Sequence, residues 1–242
     1  MSDALESHLH DQIDHSDRFF WHRLRWRVLK NHLPAAGTFE LVDVGAGAGH
    51  LGQYMAVDFP KARYRFVEPI ESLRTHLRST YGRGADAGDS DLFDGAQVVT
   101  LLDVLEHQAD DGAFMKQLVG KMTPGSTLML TVPAMPRLWS GWDVALGHHR
   151  RYDKESLLAA VEGLDLEVGE LDYLFPELVP LGWARARRRG SRDVPAGDLE
   201  ADLPELPWFV NEPMYGLGLA SLMLRRRWTF GTSLFLVASV PS

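Results

Sequence analysis

The chain has 242 residues, 45% hydrophobic and 24% charged, which is enough apolar material for one globular domain with a real core. It has no cysteine, which excludes disulfides, thiolate metal sites and a cysteine nucleophile. The net charge of −8 argues against general nucleic-acid binding, which needs a basic footprint, and no apolar run reaches the length of a membrane span.

Residues 1–17 are polar and rich in Asp and His, without an apolar signal core, so a partly disordered start and a cytoplasmic location are expected. His8, His10, Asp11, Asp14 and His15 read there as solvated groups, and no metal site is expected. An amphipathic helix is predicted over 16–32, capped by Ser16, with Phe19, Phe20, Leu24, Val28 and Leu29 at helical spacing. Pro34 and Gly37 end it. A buried strand follows over 39–44, then a helix over 49–57, a strand over 63–68 and a helix over 71–79. Residues 82–95 are rich in Gly and Asp, so any strand there is short. Residues 97–102 are an unbroken apolar run, as in a buried parallel strand. A helix over 110–121 and a strand over 127–132 complete an alternation that predicts a doubly wound, mostly parallel α/β sheet.

After residue 133 the pattern changes. Residues 134–152 read as a long loop or short helices, 154–163 as a helix, and 166–174 and 233–240 as strands. The roughly 58 residues between these last two strands are too many for a simple connection, and they hold six prolines. They are expected to be a helical insertion (175–232) that builds a pocket wall or an interface within a domain spanning 18–242. Trp183-Ala-Arg-Ala-Arg-Arg-Arg189 and Leu217–Arg227 in it read as a solvated helix face or a dimer interface. A membrane-surface or lipid-linked-substrate contact is the sharper alternative.

The most informative stretch is Leu41-Val-Asp-Val-Gly-Ala-Gly-Ala-Gly-His-Leu-Gly52. A strand, a turn without side chains at Gly45, Gly47 and Gly49, and a helix N-terminus together make a nucleotide-cofactor site. Gly47-x-Gly49-x-x-Gly52 with Glu68 about 20 residues on matches the dinucleotide fingerprint, so an NAD-dependent oxidoreductase is one reading. Asp43 pulls the other way: a carboxylate there repels a pyrophosphate but accepts hydrogen bonds from the ammonium of a methionine moiety. That favours S-adenosylmethionine.

Taken together, the chain resembles the class I S-adenosylmethionine-dependent methyltransferases, and within them a small-molecule, ubiquinone-biosynthesis-type branch. The resemblance is carried by Asp43-Val-Gly-Ala-Gly-Ala-Gly49, Ala85-Asp-Ala87, Asp103-Val-Leu-Glu-His107, Pro124-Gly-Ser-Thr-Leu128 and Leu138–Tyr152, which holds Gly-His-His-Arg-Arg-Tyr. Phe20-Trp-His-Arg-Leu-Arg25 resembles the aromatic–arginine N-terminal helix of a subgroup. The resemblance implies a Rossmann-like sheet with an antiparallel final strand. It implies that Asp43, Gly45, Ala46, Gly47 and Gly49 hold the methionine part of the cofactor, that Glu68, with Pro69 after it, holds the ribose, and that Asp86 and Ala87 hold the adenine, with Asp89 as a rival to Asp86. Leu102, Asp103, Val104 and His107 would line the cofactor pocket, with Trp21 and Arg25 closing it from above. Methyl transfer needs alignment and exclusion of water, and a base only when the acceptor must lose a proton early. His148 and His149 are the base candidates, with loop buttressing as the plainer role. Trp139, Arg150, Arg151 and Tyr152 are candidates for holding a small-molecule acceptor. A non-catalytic S-adenosylmethionine-binding protein is a third reading, and either a monomer or a homodimer is expected.

Overall fold

The computed structural model describes Glu6, Leu9, His10, Ile13 and residues 19–35, 37–86, 93–188 and 206–242. Its elements run α1 (Phe20–Lys30), β1 (Glu40–Val44), α2 (His50–Asp58), β2 (Arg63–Val67), α3 (Glu71–Tyr81), β3 (Val98–Leu102), α4 (Asp111–Val119) and β4 (Thr127–Pro133). They continue with α5 (Gly141–Ala145), α6 (Lys154–Val161), β5 (Glu167–Leu174), α7 (Val179–Arg188), α8 (Trp208–Met223) and β6 (Ser233–Ser239). Short 3-10 turns sit at Arg83–Ala85, Leu105–His107, Pro136–Leu138, Pro176–Leu178 and Arg225–Arg227.

Six strands form one sheet in the order β2-β1-β3-β4-β6-β5. β1 pairs in parallel with β2 and β3, and β3 with β4, whereas β6 runs antiparallel to both β4 and β5. This is the expected doubly wound sheet. The 82–95 stretch contributes one parallel bridge, Phe66 to Asp86, beside β2.

Alternation along the strands sorts side chains to two faces. Val42, Val44, Val99, Leu101, Leu128 and Leu130 pack against Met115, Leu118 and Val119 of α4 and Leu157 and Val161 of α6. Leu41, Val98, Met129 and Phe235 pack against Leu24, Val28 and Leu29 of α1 and Leu51 and Met55 of α2. Both faces are covered, which is why the parallel strands read as continuous apolar runs.

The expected start of α1 needs correction. The helix starts at Phe20, and Phe19 is its N-cap residue, without a side-chain cap. The backbone N–H of Phe20 instead donates to Asn211 Oδ1 of α8 at 2.9 Å. Ser16, the expected cap, lies outside the described residues. The segment between β5 and β6 is helical where it is described, as α7 and α8. α8 grips α1 through the Arg23–Glu212 ion pair at 2.5 Å and the Arg23 guanidinium 3.7 Å from the Tyr215 ring centroid.

Candidate active site

In an open α/β sheet the crevice for a ligand lies beyond the C-terminal strand ends, where strand order reverses. Here that reversal lies between β1 and β3, and a cavity of about 750 Å³ opens there. Its floor is the turn after β1 (Gly45, Ala46, Gly47, Ala48), Glu68-Pro69-Ile70 after β2 and Leu102-Asp103-Val104 after β3.

The turn depends on glycine for two different reasons. Gly45 has φ +74°, and a Cβ on it would meet Val104 Cγ2 at 2.5 Å, so the turn can close against the β3 end only without a side chain. Gly49 has φ +82°, and its Cβ would meet Leu77 Cδ2 at 2.6 Å. It does not line the cavity. Gly49 therefore lets α2 pack against α3.

Asp43, at the end of β1, is 3% exposed and lines the cavity. Its carboxylate accepts from Thr100 Oγ1 at 2.7 Å and from Tyr64 OH at 3.0 Å. Burial pushes its pKa up to about 6, against the pull of those two bonds and the Arg25 charge. Glu68 also lies in the lining. Its Oε2 accepts from Gly47 N–H at 2.8 Å and its Oε1 from Ile70 N–H at 2.9 Å, tying the glycine turn to the start of α3. Burial raises the Glu68 pKa, with the Ile70 and Gly47 bonds opposing it. Asp103 sits in the left-handed region at φ +56° and pairs with Arg25 at 2.5 Å. The Arg25 guanidinium stacks 4.2 Å from the Trp21 ring centroid, and both residues of α1 line the cavity.

Asp86 is different. Its carboxylate is paired with Arg78, Nε at 2.7 Å, and it does not line the cavity. Arg78 on α3 holds this carboxylate, so an adenine contact through it would have to share or displace that pairing. Ala87 and Asp89 lie outside the described residues.

Above the floor, residues 134–152 close into a loop whose ends meet. Met135 N–H donates to Tyr152 O, and Tyr152 N–H to Pro133 O, both at 2.9 Å. A capping box at Ser140 and Asp143 starts α5 inside this loop. Asp143 is fully buried and accepts from His148 Nδ1 at 3.1 Å and Arg151 Nε at 2.6 Å. Burial alone would raise its pKa, but the His148 bond and the Arg151 charge hold it below the usual carboxylate range. The His148 ring meets the His107 ring edge to face at 4.8 Å. Burial, then the neighbouring His148, lowers the His107 pKa to about 4. His149 lines the cavity with an exposed side chain, and its N–H donates to Glu106 O at 2.8 Å.

Of the four acceptor-binding candidates, Arg151 alone lines the cavity. Arg150 pairs with Asp111 at 2.6 Å and donates to Ala109 O, which ties the loop to α4. Tyr152 is 1% exposed and donates to Asp111 Oδ2 at 2.8 Å, a core position whose burial and acidic partner raise its pKa. Trp139 does not reach the lining; Trp142, one helical turn on, does. Sequence reasoning also missed Asp143, which the Ser140-x-x-Asp143 capping pattern could have shown. It missed Phe19, Leu178, Leu181 and Arg185 on the cavity wall, which carry no local signal.

The fold and site define a doubly wound α/β protein with a nucleotide-cofactor cavity at its switch point. The methyltransferase domain family matches residues 15–171, and the chain belongs to that family. That assignment displaces the dinucleotide-oxidoreductase reading. No curated protein sequence is significantly similar to the chain. Among solved structures, a putative methyltransferase in complex with the Trm112 activator from Haloferax volcanii is 17% identical with a TM-score of 0.58, covering 98% of each chain. An S-adenosylmethionine-dependent methyltransferase from Mesorhizobium loti is 13% identical with a TM-score of 0.58, over 94% of this chain and 99% of that one. The phosphoethanolamine N-methyltransferase 2 of Haemonchus contortus, in complex with phosphomonomethylethanolamine and S-adenosylhomocysteine, is 14% identical with a TM-score of 0.57. It matches over 92% of this chain and 53% of its own. These likenesses are of fold. Among the described residues, no helix is long and apolar enough to cross a membrane.

Proposed function

We propose that this protein transfers a methyl group from S-adenosylmethionine to an O, N or C atom of a small molecule. The observation that carries the reading is the pair of cavity-lining carboxylates, Asp43 and Glu68, on either side of the glycine turn at the switch point. Asp43, buried with its pKa pushed up to about 6, suits a cationic ammonium, whose arrival would stabilise its ionised form. Glu68 keeps free lone pairs on both oxygens beyond its two backbone bonds, as two adjacent hydroxyls require.

When bound, the cofactor supplies a methyl group already activated by the sulfonium charge. The chain then has to bind, orient and exclude water. Trp21 and Arg25 overhang the cofactor end, and Arg25 is held there by Asp103. Phe19, Leu138, Trp142, Leu146, Leu178 and Leu181 give the rest of the cavity an apolar wall suited to a small acceptor. His149 is the cavity group free to take a proton outward, whereas His148 is held by Asp143.

Calorimetric titration with S-adenosylhomocysteine, with NADH in parallel, tests the cofactor. Binding of the former alone, weakened by about tenfold or more in Asp43→Ala and Glu68→Ala, is the expected result. Unchanged affinity in both variants overturns it. Turnover of an acceptor, abolished by the same variants, separates an enzyme from a cofactor-binding partner.

A further inference from the structure

The loop that covers the cavity brings Glu106, His107 and His148 together. One ligand-capable atom from each lies within 4.8 Å of the others, and all three residues line the cavity. Glu106 is 1% exposed, and neither of its carboxylate oxygens has a hydrogen-bond partner. A buried carboxyl left in this way is costly unless it stays neutral or meets a counter-group.

We propose that Glu106, His107 and His148 bind one divalent transition-metal ion at the cavity wall, leaving coordination positions open toward the cavity for water or an oxygen donor. Two nitrogens and a carboxylate oxygen suit Zn²⁺ or Co²⁺ with open positions. The arrangement behind the three ligands fits as well. A histidine ligand is normally oriented by a hydrogen bond at its other ring nitrogen. Here His148 Nδ1 is held by Asp143, which leaves Nε2 facing Glu106 Oε1 at 3.9 Å. Asp143 is itself fixed by Ser140 and Arg151. An ion with bonds of about 2.0–2.2 Å needs its ligands about 3–3.5 Å apart, so small rotations of these side chains complete the site. Loop buttressing explains the Asp143–His148 bond, but it leaves both Glu106 oxygens without a partner. The composition gave no hint of this site, since its ligands come from the turn after β3 and from a loop 41 residues later.

Binding of the ion stands apart from the methyltransferase reading; only the identity of the oxygen donor rests on it. The test is titration of the untagged, metal-free full chain with Co²⁺, following its visible ligand-field absorption, with Zn²⁺ as competitor. One equivalent bound, displaced by Zn²⁺ and weakened in Glu106→Gln and in His148→Gln by at least the ~10–100-fold that loss of an outer-shell partner costs, is the expected result. Two variants keep the test usable if one does not fold. No absorption change, or equal Co²⁺ affinity in a folded Glu106→Gln chain, overturns the proposal. S-adenosylhomocysteine titration of the same samples separates the two readings: Co²⁺ binding without it leaves the metal site standing and removes the function, and the reverse removes the metal site alone.

Discussion

Asp43 is placed where folding and binding want different things. A carboxyl buried at the end of β1 is favoured in its protonated form, which is why its pKa rises from 3.8 to about 6. The stability linked to that proton is fully present below about pH 3.8 and lost as pH rises through 6, so the ionised group costs the ligand-free protein ~3 kcal/mol above that range. Asp43→Asn removes the charge and keeps one of the two acceptor oxygens that Thr100 and Tyr64 use, while its amide NH2 can donate to the other hydroxyl. Its ligand-free melting temperature is expected to exceed that of the parent at pH 8, with the gap shrinking at pH 5, while cofactor affinity falls. Melting curves at the two pH values check this, and a gap that does not depend on pH would mean that the charge is already balanced. For the parent, S-adenosylhomocysteine affinity is expected to fall as pH drops below 6, because the ammonium partner needs the ionised form.

At the scale of elements, the strands were legible because apolar periodicity is local and the two covered faces demand it. The sheet expected from 39–44, 63–68, 97–102 and 127–132 is the one found, within a residue or two at each end. The start of α1 was not legible. Its cap comes from Asn211, 191 residues away, and no window around Ser16 contains that information. The same limit governs the site. Asp43, Glu68 and the glycine turn follow one another in the chain and could be read, whereas the roles of Arg150 and Tyr152 depend on Asp111 in α4, and that of Asp86 on Arg78 in α3. Asn211→Ala is accordingly expected to lower stability by ~1 kcal/mol, the usual loss for an N-cap. It should also loosen α1 over the cavity, so that cofactor affinity falls with it. Denaturant unfolding and calorimetry on the same variant check both; a stability loss with unchanged affinity would detach α1 from cofactor closure.

Across the whole molecule the cavity is where separate parts of the chain meet: three strand ends, the overhanging α1, the 134–152 loop and the wall from α7. A ligand seated there bridges elements that the sheet alone does not hold together, so its binding energy is added to the cooperative stability of the folded state. At a free concentration 100 times its dissociation constant, S-adenosylhomocysteine stabilises by ~2.7 kcal/mol. For a chain of this size that raises the melting temperature by about 5–10 °C. Two variants separate site from scaffold. Glu68→Ala removes the carboxylate that ties Gly47 to Ile70 and is expected to lose the ligand-induced shift as well as some baseline stability. Tyr152→Phe loses the hydroxyl's bonds to Asp111 Oδ2 and, at 3.4 Å, to Leu105 O, so its baseline should fall by ~1 kcal/mol while the ligand-induced shift stays whole. Thermal melts of both variants with and without ligand check the pair. A shift lost in Tyr152→Phe would place that tyrosine in the binding machinery after all, through the loop it anchors between Pro133 and Met135.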